Sequence, residues 1–175
     1  MITLEQIVYV VPILGITASI FYYALNLRTA NRTQQLQLET RQAQLYMGII
    51  NVFNSLEFRR QWHLVESATW NDSDTFHKIH PPGSNVLTAV VRHFTFFESI
   101  GSLVDKKLVD IDLIDGILAQ AIVMTWRKYK RIIIEDRIHF HTPTMWIQFE
   151  NLYNELSKRE EFTITKVADF IERNL

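Results

Sequence analysis

The chain has 175 residues, a formal net charge of -1, 47% hydrophobic residues and no cysteine. That length suits one folded domain with one core. The near-neutral charge excludes a global field for gathering nucleic acid, and the missing cysteines exclude disulfide scaffolds, thiolate metal sites and cysteine nucleophiles.

A short segment, 1–5, carries a single charged side chain, Glu5. From Gln6 to Leu27 the sequence QIVYVVPILGITASIFYYALNL then runs without charge. At ~1.5 Å of rise per residue the run covers about 33 Å, enough to cross a hydrocarbon core. A buried core helix this long would carry a polar stripe, and this run has none. The expectation is a transmembrane helix over 6–27. Arg28, Arg32 and Arg41 follow it, and basic charge marks the cytoplasmic end of a span. The chain is therefore expected in the cell membrane as a single-pass protein, N-terminus outside and C-terminal domain in the cytoplasm. A cleaved signal peptide would need a basic start, a shorter apolar core and small residues at its end, and none of these is present. Tyr9 near one end and Tyr22 and Tyr23 near the other suit the two interfaces. Gly15, Ala18 and Ser19 form a small-residue patch that suits a helix–helix contact or a lipid-facing surface.

Residues 28–45 are polar and rich in glutamine, with no Gly or Pro, so the spanning helix is expected to continue as a juxtamembrane stalk. A helical bundle domain is expected over 46–175. Apolar positions 38, 45, 49, 52 and 56 recur at helical spacing, and a boundary falls at Asn71-Asp72-Ser73-Asp74. The loop beyond it includes Pro81-Pro82-Gly83. Ser84 or Asn85 then caps a helix with Val86, Val90, Phe94, Phe97, Ile100 and Val104 on its inner face. Lys106 and Lys107 suit the dipole at its end. Asp110 or Asp112 opens a long helix through Trp126 to about Arg137. Thr142-Pro143 reads as a cap with proline at the first helical position, launching Met145 to Lys158. Thr163 starts a short terminal helix carrying Val167, Phe170 and Ile171. No alternating strand pattern appears, and the fold class is all-α.

Four groups of residues are candidates for chemistry. Asp110, Asp112 and Asp115 suggest a calcium loop, but Ile114 stands where an oxygen ligand is needed and Ala121 where the bidentate Glu belongs. Acids at a helix start have their own electrostatic reason. His77-x-x-His80 and His139-x-His141 lie in predicted loops and are the candidate metal ligands, since imidazole is a common zinc ligand; neither pair has the HExxH spacing. Trp126-Arg-Lys-Tyr-Lys-Arg131 interleaves basic and aromatic residues, which suits anionic lipid headgroups or a solvated amphipathic face. It belongs to no nucleic-acid recognition module, and no nucleic-acid partner is expected. Finally, Phe97-Glu98 and Phe149-Glu150 place carboxylates beside core positions. With Arg92, Trp126 and Arg137 they form an expected structural network in which buried charges are paired. The opposing reading is an acid–base pair.

The run RHFTFFESIGSLVDKKLVDIDLI, a Trp-bearing helix, then ED-R and FENLY together resemble a family of uncharacterised small prokaryotic proteins. Its members have one N-terminal span and a helical domain of unknown function with an F-E-x-I-G signature. The resemblance covers Val86 to Leu156 and implies signature positions at Arg92, Phe97, Glu98, Gly101, Trp126, Arg137, Phe149 and Glu150. It implies a shared helical core and no substrate, and no cofactor is expected. The functional expectation is a membrane-anchored protein-interaction or self-association module. Its expected partners are the lipid bilayer, a second copy or another membrane protein. The alternative is a membrane-tethered enzyme or metal-dependent module using the His or Glu clusters.

Overall fold

The computed structural model describes the backbone from Leu4 to Arg159 and the side chains from Gly15 to Arg159. The terminal helix expected from Thr163 lies outside these residues, as do the side chains of 6–14. Among the described residues the regular structure is entirely helical. Helix α1 (Leu4–Phe53) is 50 residues long and is followed by α2 (Leu56–Ser67), α3 (Ser73–Ile79), α4 (Asn85–Asp105) and α5 (Ile111–His139). A sixth helix, α6, covers 147–159. The chain divides into two units, Met1–Gln44 and Leu45–Leu175.

The described part of the first unit is the stretch of α1 up to Gln44. From Gly15 to Arg41 its side chains are all exposed, including Ile20, Phe21, Tyr23 and Leu25. Its hydroxyls are satisfied within the helix: Ser19, Thr29, Thr33 and Thr40 each donate to the carbonyl four residues earlier at 2.7–3.0 Å. Back-bonding of this kind lets a helix carry Ser and Thr without needing water. Among the described residues no helix is long and apolar enough to cross a membrane.

The second unit begins with the last turns of α1, where Ile49 is buried. The apolar stripe through 52 and 56 suggested one continuous helix, but the chain breaks at Asn54-Ser55. Ser55 takes extended geometry and its hydroxyl accepts from the Phe58 N–H at 3.2 Å, an N-cap that starts α2. Val52 and Leu56 are exposed, and Phe58 is the residue that turns inward. Residues 73–79, expected as part of a loop, form α3, with the Asp72 carboxylate accepting from the Thr75 N–H at 2.7 Å. Phe76 pins this short helix by packing edge-on against Trp70 and Tyr129.

Helices α4 and α5 start where the cap residues Ser84 and Asp110 place them. Both end in a left-handed residue, Lys107 (φ 55°) and His141 (φ 52°). In each case the N–H of that residue and the N–H of the next return to the last turn, the pattern of a Schellman motif. The expected start at Met145 shifts to 147. Residues 142–146 form turns, and Trp146 adopts φ 57° while packing on Phe94.

Helix α2 packs on α4 and α3 on α5. Phe149 fills the centre, fully buried with ring centroids 5.0–5.7 Å from Trp126, Phe97 and Phe94. Each large aromatic removes 150–250 Å² from water, at roughly 25 cal/mol per Å², so this cluster dominates the core.

One polar ring sits inside it. His93 is 0% exposed, lies 4.2 Å from Phe58 and 5.6 Å from Trp62, and donates from Nδ1 to the Ala89 carbonyl at 2.7 Å. Its Nε2 is buried without a hydrogen-bond partner. Burial holds its pKa below the ordinary histidine value of 6.5. The unfolded chain therefore takes up the proton first. Stability is full above about pH 6.5 and falls as acidification proceeds toward the lower folded-state value. Thermal melts from pH 7.5 to 5 should show this loss, and His93→Phe should flatten the slope; an unchanged slope would assign the acid sensitivity elsewhere.

Candidate functional site

The residues expected to carry chemistry fall into three separate places. The first is the start of α6. Its opening N–H groups lack intrahelical acceptors, as in any helix. One of them, on Phe149, donates to Glu98 Oε2 of α4 at 2.7 Å, so a carboxylate 51 residues away closes the helix end. One turn along α4, Gly101 lies against the backbone just before. A Cβ added there would stand 2.2 Å from the Gln148 carbonyl oxygen. No other residue type fits this approach.

Arg137 holds the same segment from the other side. Its Nη1 donates to Glu150 Oε2 at 2.7 Å and its Nε to the Met145 carbonyl at 2.8 Å. The guanidinium thus bridges the turn before α6 to a side chain within it. Trp126 packs edge-on against Phe149 and stacks on Tyr153. Glu98, Trp126, Arg137 and Glu150 therefore converge on α6. Arg92 does not: it faces solvent 3.8 Å from Glu57, where a pair contributes little. The two carboxylates each hold a different group, one a backbone N–H and one an arginine.

The second place is an open cleft of about 710 Å³ between α3 and the end of α5. His77 Nε2 lies 2.8 Å from Asp136 Oδ1, and Ser73 Oγ reaches the same oxygen at 3.5 Å. Arg131 pairs with Glu135 at 2.8 Å, and Glu135 also accepts from the Ser73 N–H. An imidazole oriented by a carboxylate is half of a proton-transfer device. Ser73, however, meets the carboxylate and not the imidazole, so it is not set up as a nucleophile; these contacts fasten α3 to α5.

The two histidine pairs take different roles. His139 lines the cleft with His77. The His80 ring packs against Phe76, and His141 is consumed as the left-handed cap of α5, its Nδ1 3.2 Å from the His139 carbonyl. Among the described residues no group of three or more His, Asp or Glu is placed to hold a metal. Asp110 is the N-cap of α5, while Asp112 and Asp115 take Arg159.

The third place is the basic–aromatic stretch. Trp126 and Tyr129 are core residues. The Tyr129 hydroxyl donates to the Val65 carbonyl at 2.7 Å, and Lys128 Nζ donates to the Glu66 carbonyl. Burial pushes the Tyr129 pKa up, so the hydroxyl keeps the proton it donates. Both residues satisfy carbonyls in the last turn of α2, where positive charge is also favoured. Sequence reasoning missed this role because donor and acceptor stand more than 60 residues apart, and no local signal marks the pair.

The fold and these contacts define an all-α helical domain with an aromatic core and a sixth helix clamped at its start. The chain belongs to the family described as a domain of unknown function (DUF4760), whose model matches residues 10–156. No curated protein and no solved structure matches it.

Two substitutions test the clamp. Gly101→Ala must displace the Gln148 backbone and should cost about 1–3 kcal/mol, whereas Gly48→Ala, in open space on α1, should be neutral or stabilising. Chemical denaturation of the two variants reads the difference directly. In a cycle of Arg137→Met and Glu150→Gln, the double variant should be less damaged than the sum of the singles by about 1–2 kcal/mol. Simple additivity would mean that the pair does not act together.

Proposed function

We propose that this chain is a single-pass membrane-anchored helical module, N-terminus outside and bundle in the cytoplasm, that works by binding a second polypeptide or itself. The observation that carries the anchor is the uncharged run 6–27, which stands in one uninterrupted helix with α1. Its described apolar side chains are exposed and its Ser19 hydroxyl is satisfied internally. A stretch of that kind needs an apolar surrounding. The family match begins within this run, at residue 10, so most of the run and the rest of α1 lie within the matched residues. The reading agrees with what the resemblance to small prokaryotic single-span proteins implies.

The interaction role is supported by how the charged residues are used. Glu98, Arg137 and Glu150 hold α6, and Lys128 and Tyr129 close α2, so the expected site residues serve packing. A second reading, a tethered enzyme or metal-dependent module, rests on the His77–Asp136 pair in its open cleft. The Arg131–Glu135 pair also leaves anionic lipid headgroups as partners of the basic stretch in a weaker role.

Reporter fusions at each terminus, with alkaline extraction of membranes, test the anchor. A membrane-retained chain with a cytoplasmic C-terminal reporter is expected, and removal of 6–27 should release it. Recovery of the full chain in the soluble fraction would overturn the reading. In detergent the protein should run as a defined oligomer or with a partner. A monodisperse monomer that crosslinks to nothing in cells would overturn the interaction role.

A further inference from the structure

Helix α2 turns Phe58 and Val65 into the core and packs on α4. Its outer side carries Leu56, Arg59, Arg60 and His63, all exposed. At about 100° per residue these four share an arc of about 100°, one side of the helix. They border a groove of about 380 Å³ whose floor is aromatic. Phe53, at the end of α1, lies 5.4 Å from Phe58, and Phe58 lies 6.2 Å from Trp62, ring centre to ring centre. The groove is an apolar recess with two guanidiniums and an imidazole at its rim.

The two arginines differ from their counterparts in having no partner. Among the described residues of the second unit, Arg92 pairs with Glu57, Arg131 with Glu135, Arg137 with Glu150 and Arg159 with Asp112. Arg127 is engaged as well, while Arg59 and Arg60 have neither an ion pair nor a hydrogen-bond acceptor among those residues. Glu57, the acid nearest them in sequence, takes Gln61 and Arg92 instead. Two neighbouring positive charges left open in this way favour an anion from outside the chain. Their planar guanidiniums match a carboxylate in bidentate geometry.

A bare anion has no use for the aromatic floor, and a purely apolar ligand has none for the arginines. The groove therefore fits a ligand that is both. From Leu56 to His63 the helix rises ~10.5 Å, the length of about three residues of extended chain. A short peptide segment can thus seat one large side chain in the recess and hold carboxylates over the arginines. Trp and Arg are also the residue types that carry most binding energy at protein interfaces. A lipid surface suits the site less, because Phe58 at the floor is only 8% exposed and a bilayer takes up apolar side chains that project.

We infer that the groove beside α2 docks a partner polypeptide through an acidic segment bearing an aromatic or large aliphatic side chain. The inference rests on the interaction role proposed above and gives it a surface and a chemistry of recognition.

A randomised peptide library displayed on phage, screened against the full-length protein in detergent, should yield sequences with Asp or Glu beside Phe, Trp or Leu. A fluorescent copy of a selected peptide should bind Arg59→Glu/Arg60→Glu about 30-fold more weakly and Leu56→Ala about fivefold more weakly. These side chains are exposed, so the thermal midpoint should stay where it is. Arg92→Gln, whose guanidinium lies outside the groove, should bind like the unaltered chain. A library that yields nothing, peptides without acids, or binding indifferent to the charge reversal would overturn the groove as this docking site. Displacement of the peptide by phosphatidylserine nanodiscs would give the face to lipid, and a homo-oligomer abolished by the reversal would give it to a second copy; either result overturns the assignment. A partner captured in cells that binds Arg59→Glu/Arg60→Glu unchanged would remove the groove and leave the interaction role standing. A chain with no partner at all would remove both.

Discussion

The contact on which the second unit depends is the landing of α6 on α4 at Gly101. The missing side chain lets the Gln148 backbone come close enough for the next N–H to reach Glu98. Once Phe149 is fixed there, its ring closes the aromatic core between Phe94, Phe97 and Trp126. Arg137 then ties the preceding turn and Glu150 to the end of α5. Each of these interactions needs the one before it, since a carboxylate or guanidinium left without its partner in a half-buried site costs more than the pair contributes.

The same economy governs the helix ends elsewhere. Local side chains cap four starts: Ser55, Asp72, Ser84 and Asp110. The last turn of α2 is closed instead by Tyr129 and Lys128 from α5. Remote capping converts a secondary-structure requirement into a tertiary one, so α2 has its full complement of hydrogen bonds only when α5 lies beside it. His93, between α2 and α4, adds a polar group to that interface with one nitrogen bonded and one bare.

What was legible in the sequence was what is decided within a few residues. Ser84 and Asp110 were readable as caps because the hydrogen bond spans two or three positions. The inner face of α4 was readable because burial there follows a single helical period. The break at Asn54-Ser55 was hidden because Val52 and Leu56 kept the helical phase across it while pointing outward. Residues 73–79 resembled a turn because a polar, seven-residue helix has no stripe of its own. The clamp was legible in its residue types and not in its pairings: Glu98 and Arg137 stood out as charges beside core positions. Which of them would meet was set by the approach at Gly101, a distance no spacing rule contains.

That approach also has a consequence for the order of events during synthesis. The chain passes Gly101 well before it reaches Phe149, and at ~5–20 residues per second that interval lasts about 2–10 s. Until then α4 presents Phe94 and Phe97 without their cover, and Glu98 without its N–H. The domain is therefore most vulnerable to off-pathway association while it is being made, in the seconds before α6 emerges.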